Sequence, residues 1–67
     1  MSPTLSQGGV EYMLKAVVVH IGHARGHYIC YCNVASLWYK CDDEVVTVCR
    51  WEDVLRSQAY VLFYEAE

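Results

Sequence analysis

The sequence has little basic charge and no long apolar run, and these two absences exclude the first functional classes. Five Lys and Arg residues stand against eight Asp and Glu residues in a chain of 67, which gives a formal net charge of −3. A nucleic-acid surface needs a basic patch or stripe, which this balance does not provide. No apolar run reaches the roughly 20 residues that span a bilayer. We therefore expect neither nucleic acid nor a membrane as a partner.

The N-terminal residues also lack the apolar core of a secretory signal peptide. Residues 1–9 consist of turn and linker residue types, and we expect them to form a flexible loop ahead of a folded part at residues 10–67. Without an export signal, the four cysteines are expected to be reduced thiols, since disulfides are rare in the cytosol and nucleus. The sequence therefore predicts a cytoplasmic or nuclear protein.

The chain does have an excess of apolar residues for its size. Hydrophobic residues make up 55% of the sequence, whereas a chain this short buries proportionately little surface when it folds alone. The length permits one small domain at most. We therefore expect part of the apolar surface to pack against a segment outside this sequence.

The spacing of the apolar residues predicts five strands and one helix. Trp51, Val54 and Leu55 have the i, i+3, i+4 spacing of a helix over residues 51–58. The segments rich in Val, Ile and aromatic residues predict strands, at residues 12–21, 27–33, 37–41, 45–49 and 59–64. The order β-β-β-β-α-β is typical of an α+β fold, here a mostly antiparallel sheet with one short helix.

His27 and Asp42 are the residues that a hairpin would bring together for catalysis. A histidine base needs a carboxylate that fixes its tautomer and stabilises the imidazolium. A turn at Val34-Ala35 would place His27 opposite Asp42 and would bury a uniformly apolar face, which carries Tyr28, Cys30, Cys32, Leu37, Tyr39 and Cys41. The alternative is a surface histidine next to a solvated acidic turn at residues 42–44.

The four cysteines are poor candidates for the nucleophile that a His-Asp pair would serve. Cys30, Cys32 and Cys41 alternate onto the face opposite His27, and buried cysteines in apolar surroundings are inert. We interpret all four as packing residues. A zinc site normally uses two close Cys pairs. The spacing of the candidate ligands in this sequence does not match this pattern. The candidates are His20, His23, His27, Cys30, Cys32, Cys41 and Cys49. We therefore expect no metal and no other cofactor.

Several segments, taken in order, resemble the histidine box and the closing segments of ubiquitin-specific cysteine proteases. They cover nearly all of residues 12–65 and read Tyr12-x-Leu14-x-Ala16-Val17-Val18-Val19-His20-x-Gly22, Gly26-His27-Tyr28, Trp38-Tyr39-x-x-Asp42-Asp43-x-Val45-Val46, Val54-Leu55 and Ala59-Tyr60-Val61-Leu62-Phe63-Tyr64. In that family a cysteine box opens the catalytic domain, and this sequence has no counterpart of it. The resemblance implies that residues 10–67 are the C-terminal, incomplete part of such a domain, in the palm of a papain-like fold.

The resemblance also implies a role for each matching residue. His27 would be the base that activates the catalytic cysteine, Asp42 would orient His27, and Asp43 would help to polarise the site or the oxyanion. Gly26 and Tyr28 would shape the substrate channel for the C-terminal tail of ubiquitin. Residues 22–26 would form a short blocking loop beside that channel.

The function that the resemblance implies is hydrolysis of the bond after ubiquitin's C-terminal glycine through a thioester. The implied partners are ubiquitin, or a ubiquitinated protein, and the N-terminal half of the same catalytic domain. The chain alone lacks the nucleophile and is expected to be inactive. Two alternatives stay open: a non-catalytic ubiquitin-binding or regulatory module, and a metal-binding domain that requires three or more cysteines and histidines to converge.

Overall fold

The computed structural model describes residues 1–22 and 26–67, which form six strands and one helix. The elements are β1 (Thr4–Gln7), β2 (Val10–Ile21), β3 (His27–Val34), β4 (Leu37–Asp42), β5 (Val45–Cys49), α1 (Trp51–Arg56) and β6 (Ala59–Ala66). All strand pairs are antiparallel, so the predicted α+β fold class is confirmed. Within the described ranges, no helix has the length and apolar character that crossing a membrane requires.

Strand β2 is the centre of the sheet, because it pairs with three other strands. β6 pairs with residues 12–19 along one edge of β2. β1 and β3 share the other edge, with β1 beside residues 10–13 and β3 beside residues 16–21. β4 and β5 continue the sheet outward from β3. Each of β3, β4 and β5 follows its neighbour through a short connection, so the sheet is built mostly from hairpins.

The prediction of a loop over residues 1–9 is wrong, because Thr4–Gln7 forms the strand β1. Gly8 and Gly9 both have positive φ, at 58° and 79°. Two consecutive residues with positive φ form the tight hairpin turn that glycine pairs favour. The Gly-Gly pair therefore joins β1 to β2, and Thr4–Gln7 is the first strand of a hairpin rather than linker.

The core lies on one face of the sheet, under helix α1. Val54 of the helix is fully buried in one cluster with residues from three strands, namely Leu14, Val17, Val19, Ile29, Tyr31 and Trp38. Leu14 and Val17 are three residues apart, an odd spacing that would normally place them on opposite faces. A register shift between Leu14 and Ala16 in the pairing with β6 resets the alternation there, so both side chains enter the core.

The β3–β4 hairpin differs from the prediction in its register and in the face that it buries. The turn residues are Ala35 and Ser36 rather than Val34-Ala35, and Cys30 pairs with Cys41. The two predicted faces are nevertheless sorted correctly, because this change moves each partner by two residues, which preserves the alternation. The buried face is the one that begins with His27, since Ile29, Tyr31 and Trp38 lie under α1.

Helix α1 ends at Arg56, two residues earlier than the sequence pattern predicts. Ser57 has extended backbone angles, and both its N–H and its hydroxyl donate to the Val54 carbonyl. These bonds satisfy one of the carbonyls that a helix end leaves without a partner. At the other end, the Asp53 carboxylate accepts the Arg50 N–H at 3.1 Å. The early stop lets β6 begin at Ala59 and return along β2.

The β3–β4 turn is predicted to be a point at which the chain can be stabilised. Ala35 and Ser36 have φ values of 52° and 68°, which cost free energy for residues that carry a Cβ. Replacing them together with Asn and Gly supplies the pair that this turn type prefers. We expect the free energy of unfolding in urea to rise by about 1 kcal/mol. An unchanged or lower value would show that the turn does not adopt this conformation in solution.

Candidate functional site

His27 and Asp42 meet on one face of the sheet, at neighbouring ends of β3 and β4. Continuing the observed ladder past Cys41 would place Asp42 opposite Ile29, so His27 is its diagonal neighbour rather than its direct partner. Diagonal neighbours on one face have Cα atoms about 7–8 Å apart, which long side chains can bridge. The His27 Nε2 and Asp42 Oδ1 atoms are 2.5 Å apart. The two side chains are therefore in hydrogen-bond contact, although by a different register from the predicted one.

The contact determines which nitrogen of His27 carries the proton in the neutral ring. The Nε2–H group donates to the Asp42 carboxylate, so Nδ1 is left as the proton acceptor. Both side chains are about two-fifths exposed, at 43% and 41%. Even as an ion pair, a contact this exposed would contribute only about 0–1 kcal/mol to stability. We infer that the contact matters chiefly for the orientation and tautomer of His27.

Asp43 adds a second carboxylate to the same group. It occupies the turn between β4 and β5 with a φ of 54°, a conformation that Asp adopts more readily than most residues. Ligand atoms of His27, Asp42 and Asp43 all lie within 4.8 Å of one another. Two acidic side chains therefore face one imidazole, and in the described ranges this is the set whose donor types could hold a metal ion.

Gly26 and Tyr28, the predicted channel residues, flank His27 on either side. Alternation along β3 directs Tyr28 to the face opposite His27, where 54% of its surface is exposed. Gly26 is half-buried directly before the strand. Residues 23–25 of the predicted blocking loop, including His23, lie outside the described residues. The channel roles of Gly26 and Tyr28 stay predictions.

Three of the four cysteines have thiols that partial burial makes less acidic, and the structure describes all four. Cys49 packs against the core cluster, and Cys30, Cys32 and Cys41 lie together on the face opposite α1, with the Cys30 and Cys32 sulfurs 3.4 Å apart. Partial burial is the main cause that raises the pKa of the Cys32, Cys41 and Cys49 thiols. Such thiols stay protonated at neutral pH and are weak nucleophiles.

The zinc alternative required three or more cysteines and histidines to converge. Among the residues that the structure describes, no such set has its ligand atoms within 4.8 Å of one another. The thiols of Cys30, Cys32 and Cys41 are neighbours on the face opposite α1, but their three sulfur atoms do not all lie within 4.8 Å of one another. The described residues therefore give no observation that favours the metal-binding alternative.

One group near the site was missed by the sequence analysis, which gave His20 no role. His20 stands directly opposite Tyr28 in the β2–β3 ladder, and their ring centroids are 4.7 Å apart. Tyr60 of β6 completes the group at 5.9 Å from His20. The β2–β3 pairing was readable from the sequence as two neighbouring strands, but nothing in the sequence indicates that β6 brings Tyr60 to them.

Comparison with known sequences gives one consistent family for the chain. The family model described as "Ubiquitin carboxyl-terminal hydrolase" matches residues 2–64. The human ubiquitin carboxyl-terminal hydrolase 17-like protein 1 is 49% identical over 70 residues, which covers 96% of this chain. Human ubiquitin carboxyl-terminal hydrolase 17 and the human inactive ubiquitin carboxyl-terminal hydrolase 17-like protein 4 are both 47% identical over the same length. The chain spans 13% of the length of each of these relatives.

Comparison with solved structures gives the same fold. The Ubp8-Sgf11-Sgf73-Sus1 SAGA DUB module contains a chain that matches all of this one, with a TM-score of 0.92 and 32% identity. A SAGA Ubp8/Sgf11/Sus1/Sgf73 DUB module bound to ubiquitin aldehyde matches 98% of this chain, with a TM-score of 0.81 and 32% identity. This chain covers 18% and 16% of those two chains.

Proposed function

The chain belongs to the ubiquitin carboxyl-terminal hydrolase family, as the sequence predicted, and on that premise we propose that it supplies the histidine and the acid of a deubiquitinating cysteine protease. The nucleophile would come from another part of the catalytic domain, because the thiols of this chain are unsuited to the task. His27 would be the base, Asp42 its orienting acid and Asp43 an additional acidic group. The chain spans 13% of the length of the curated relatives it matches, so this role is proposed for a complete catalytic domain.

The observation that carries the proposal is the contact between His27 Nε2 and Asp42 Oδ1. It leaves Nδ1 of His27 free to accept the proton of a cysteine thiol. The Asp42 carboxylate then stabilises the imidazolium that forms, without itself taking the proton. Nδ1 of His27 would thus act as the base, and the Asp42 carboxylate would stabilise the charge that forms on the ring.

The proposed reaction is acyl transfer in two stages. The cysteine thiolate attacks the carbonyl carbon of ubiquitin's C-terminal glycine, and the imidazolium of His27 gives its proton to the leaving amine. Water, deprotonated by the same Nδ1, then attacks the thioester and releases the glycine carboxylate and the thiol. A thiol protease needs a reduced cysteine, which the cytoplasm and nucleus maintain.

Ubiquitin is proposed as the partner on the basis of similar structures. One of the matching Ubp8 modules is bound to ubiquitin aldehyde. The second proposed partner is the N-terminal half of the same domain. Large exposed apolar side chains on β5 and β6 support it, because a packed neighbour would cover them.

The second candidate is a non-catalytic ubiquitin-binding or regulatory module. It is favoured by two relatives that are named inactive, at 47% and 46% identity. Relatives with and without that word in their names are equally similar to this chain. Overall likeness therefore does not decide between the candidates, and the catalytic residues must be tested directly.

The test is a chimera in which residues 1–67 replace the matching segment of human ubiquitin carboxyl-terminal hydrolase 17, which supplies the upstream cysteine. We expect the chimera to hydrolyse a fluorogenic amide of ubiquitin's C-terminal glycine, and the isolated chain to give only the buffer rate. A chimera that has the circular dichroism spectrum of its parent and binds ubiquitin without hydrolysis would instead support the non-catalytic module.

A further inference from the structure

The imidazole ring of His20 occupies the space in which a side chain at position 26 would lie. A Cβ atom built on Gly26 would overlap Nε2, Cε1 and Cδ2 of that ring. The ring of His20 therefore restricts the size of the side chain that position 26 can carry.

Two tyrosines hold that ring from different strands. Tyr28 meets it in an edge-on arrangement, with centroids 4.7 Å apart and an interplanar angle of 64°. Tyr60 lies on β6, which also pairs with β2, and its ring centroid is 5.9 Å from that of His20. The ring centroids of the two tyrosines are 6.3 Å apart. Aromatic pairs at these distances are worth about 0.5–1.5 kcal/mol each. The two contacts therefore favour the position of the ring beside Gly26.

A local irregularity of β6 brings Tyr60 to this position. The β2–β6 ladder pairs Val18 with Val61 and Val19 with Ala59, so Tyr60 is the extra residue between two successive pairs. Such a β-bulge changes the direction in which a side chain points, and bulges are common beside active sites. The bulge completes the group of three rings at the end of the sheet where β3 begins.

We infer that His20 is a positioning residue for His27, acting through the backbone of Gly26. The ring, held between Tyr28 and Tyr60, sets the path of the chain into β3. His27 is the next residue, and its Nε2 must reach Asp42 Oδ1 on the opposite face. His20 pairs with Tyr28 on the face opposite His27 and Asp42, so its effect is proposed to pass through the position of His27.

The consequence for activity rests on the proposed function. A displacement of about 1 Å in a catalytic group can cost about 100-fold in rate. In the chimera we expect His20→Ala to lower kcat by about 10-fold to 100-fold, with little change in KM. His20→Phe keeps a flat ring in the same place and is expected to retain most of the rate, because the inferred role depends on the packing of the ring.

The structural test is a double-mutant cycle on the full chain, read from the ¹⁵N spectrum of the His27 ring, which reports the hydrogen bond at Nε2. We expect Gly26→Ala to remove the wild-type pattern, because the new methyl group and the ring compete for one space. His20→Gly alone is also expected to disturb the pattern, because nothing then fills the space beside Gly26. The double variant Gly26→Ala with His20→Gly is expected to restore it, since the methyl group then occupies the space that the ring has left. Restoration is the outcome that an unrelated loss of stability would not produce.

The inference is overturned if Gly26→Ala keeps the wild-type His27 pattern, or if the double variant is as disturbed as Gly26→Ala alone. The same cycle measured as kcat in the chimera gives an independent reading if a variant of the isolated chain does not fold. The ¹⁵N spectrum of the His27 ring does not depend on catalysis, so it still tests the inference about His20 if the proposed function is wrong. Conversely, if the chimera is active but the double variant restores neither the spectrum nor kcat, the inference about His20 is wrong and the proposed function still stands.

Discussion

Replacing His27 with alanine in the chimera is expected to lower kcat/KM for the ubiquitin amide by about 10⁴-fold or more. The loss follows from the role of Nδ1, which receives the thiol proton and later returns a proton to the leaving amine. Without it the cysteine stays largely a protonated thiol near neutral pH. The rate is measured from the release of the fluorescent amine at several substrate concentrations.

The control for this variant separates chemistry from folding. Ubiquitin binding by the His27→Ala chimera is expected to stay within a few fold of wild type, because the exposed His27–Asp42 pair contributes little to stability. A loss of both binding and rate would indicate misfolding, which circular dichroism would reveal. Turnover near the wild-type rate by a folded variant would contradict the assignment of His27 as the base.

Replacing Asp42 with alanine is expected to cost about 10³-fold in kcat, less than the loss of His27 itself. The carboxylate fixes the tautomer with Nε2 protonated and stabilises the imidazolium, and the removal of such an acid costs up to about 10⁴-fold in a related triad. Asp43 has a carboxylate oxygen within 4.8 Å of the same imidazole. We therefore expect Asp43 to supply part of the lost stabilisation.

The double variant Asp42→Ala with Asp43→Ala decides how the two acids share the role. We expect its rate to fall to within about tenfold of the His27→Ala chimera. Glu44→Gln is the matched control, since Glu44 is an exposed acid of the same turn outside the three-residue group, and it should leave the rate unchanged. Near-wild-type turnover by the double variant would refute the acid assignment.

The proximity of His27 and Asp42 could be predicted because it depends on alternation more than on the exact turn. The observed turn lies one residue later than the predicted one, so each residue of β3 pairs with a β4 residue two positions further along than predicted. A shift of two keeps every side chain on its face, whereas a shift of one would have separated the pair. A histidine at the start of one strand and an aspartate at the end of the next therefore still meet, as diagonal neighbours.

The buried face of the hairpin could not be predicted from its own residues. Both faces carry apolar side chains, and the choice is made by α1, whose Val54 packs over Ile29, Tyr31 and Trp38. The face with Cys30, Cys32 and Cys41 looked more uniform and is half-buried. Which face a helix covers depends on a connection some twenty residues further along the chain, beyond any local pattern.

The strand β1 and the group around His20 show two different limits of sequence reasoning. The Gly8-Gly9 pair was a readable hairpin signal, and its meaning was missed because the residues before it resemble linker. The position of Tyr60 was not readable, because it follows from a bulge in the pairing of β6 with β2. That pairing joins segments about 40 residues apart, and the sequence carries no local sign of its register.

The most direct test of the central claim is the ¹⁵N spectrum of the His27 ring in the full chain, compared with that of Asp42→Ala. In the neutral ring we expect Nε2 to carry the proton and Nδ1 to carry none, and we expect this preference to weaken when Asp42 is removed. A proton on Nδ1, or a spectrum that Asp42→Ala leaves unchanged, would contradict the claim that Asp42 prepares His27 to act as the base through Nδ1.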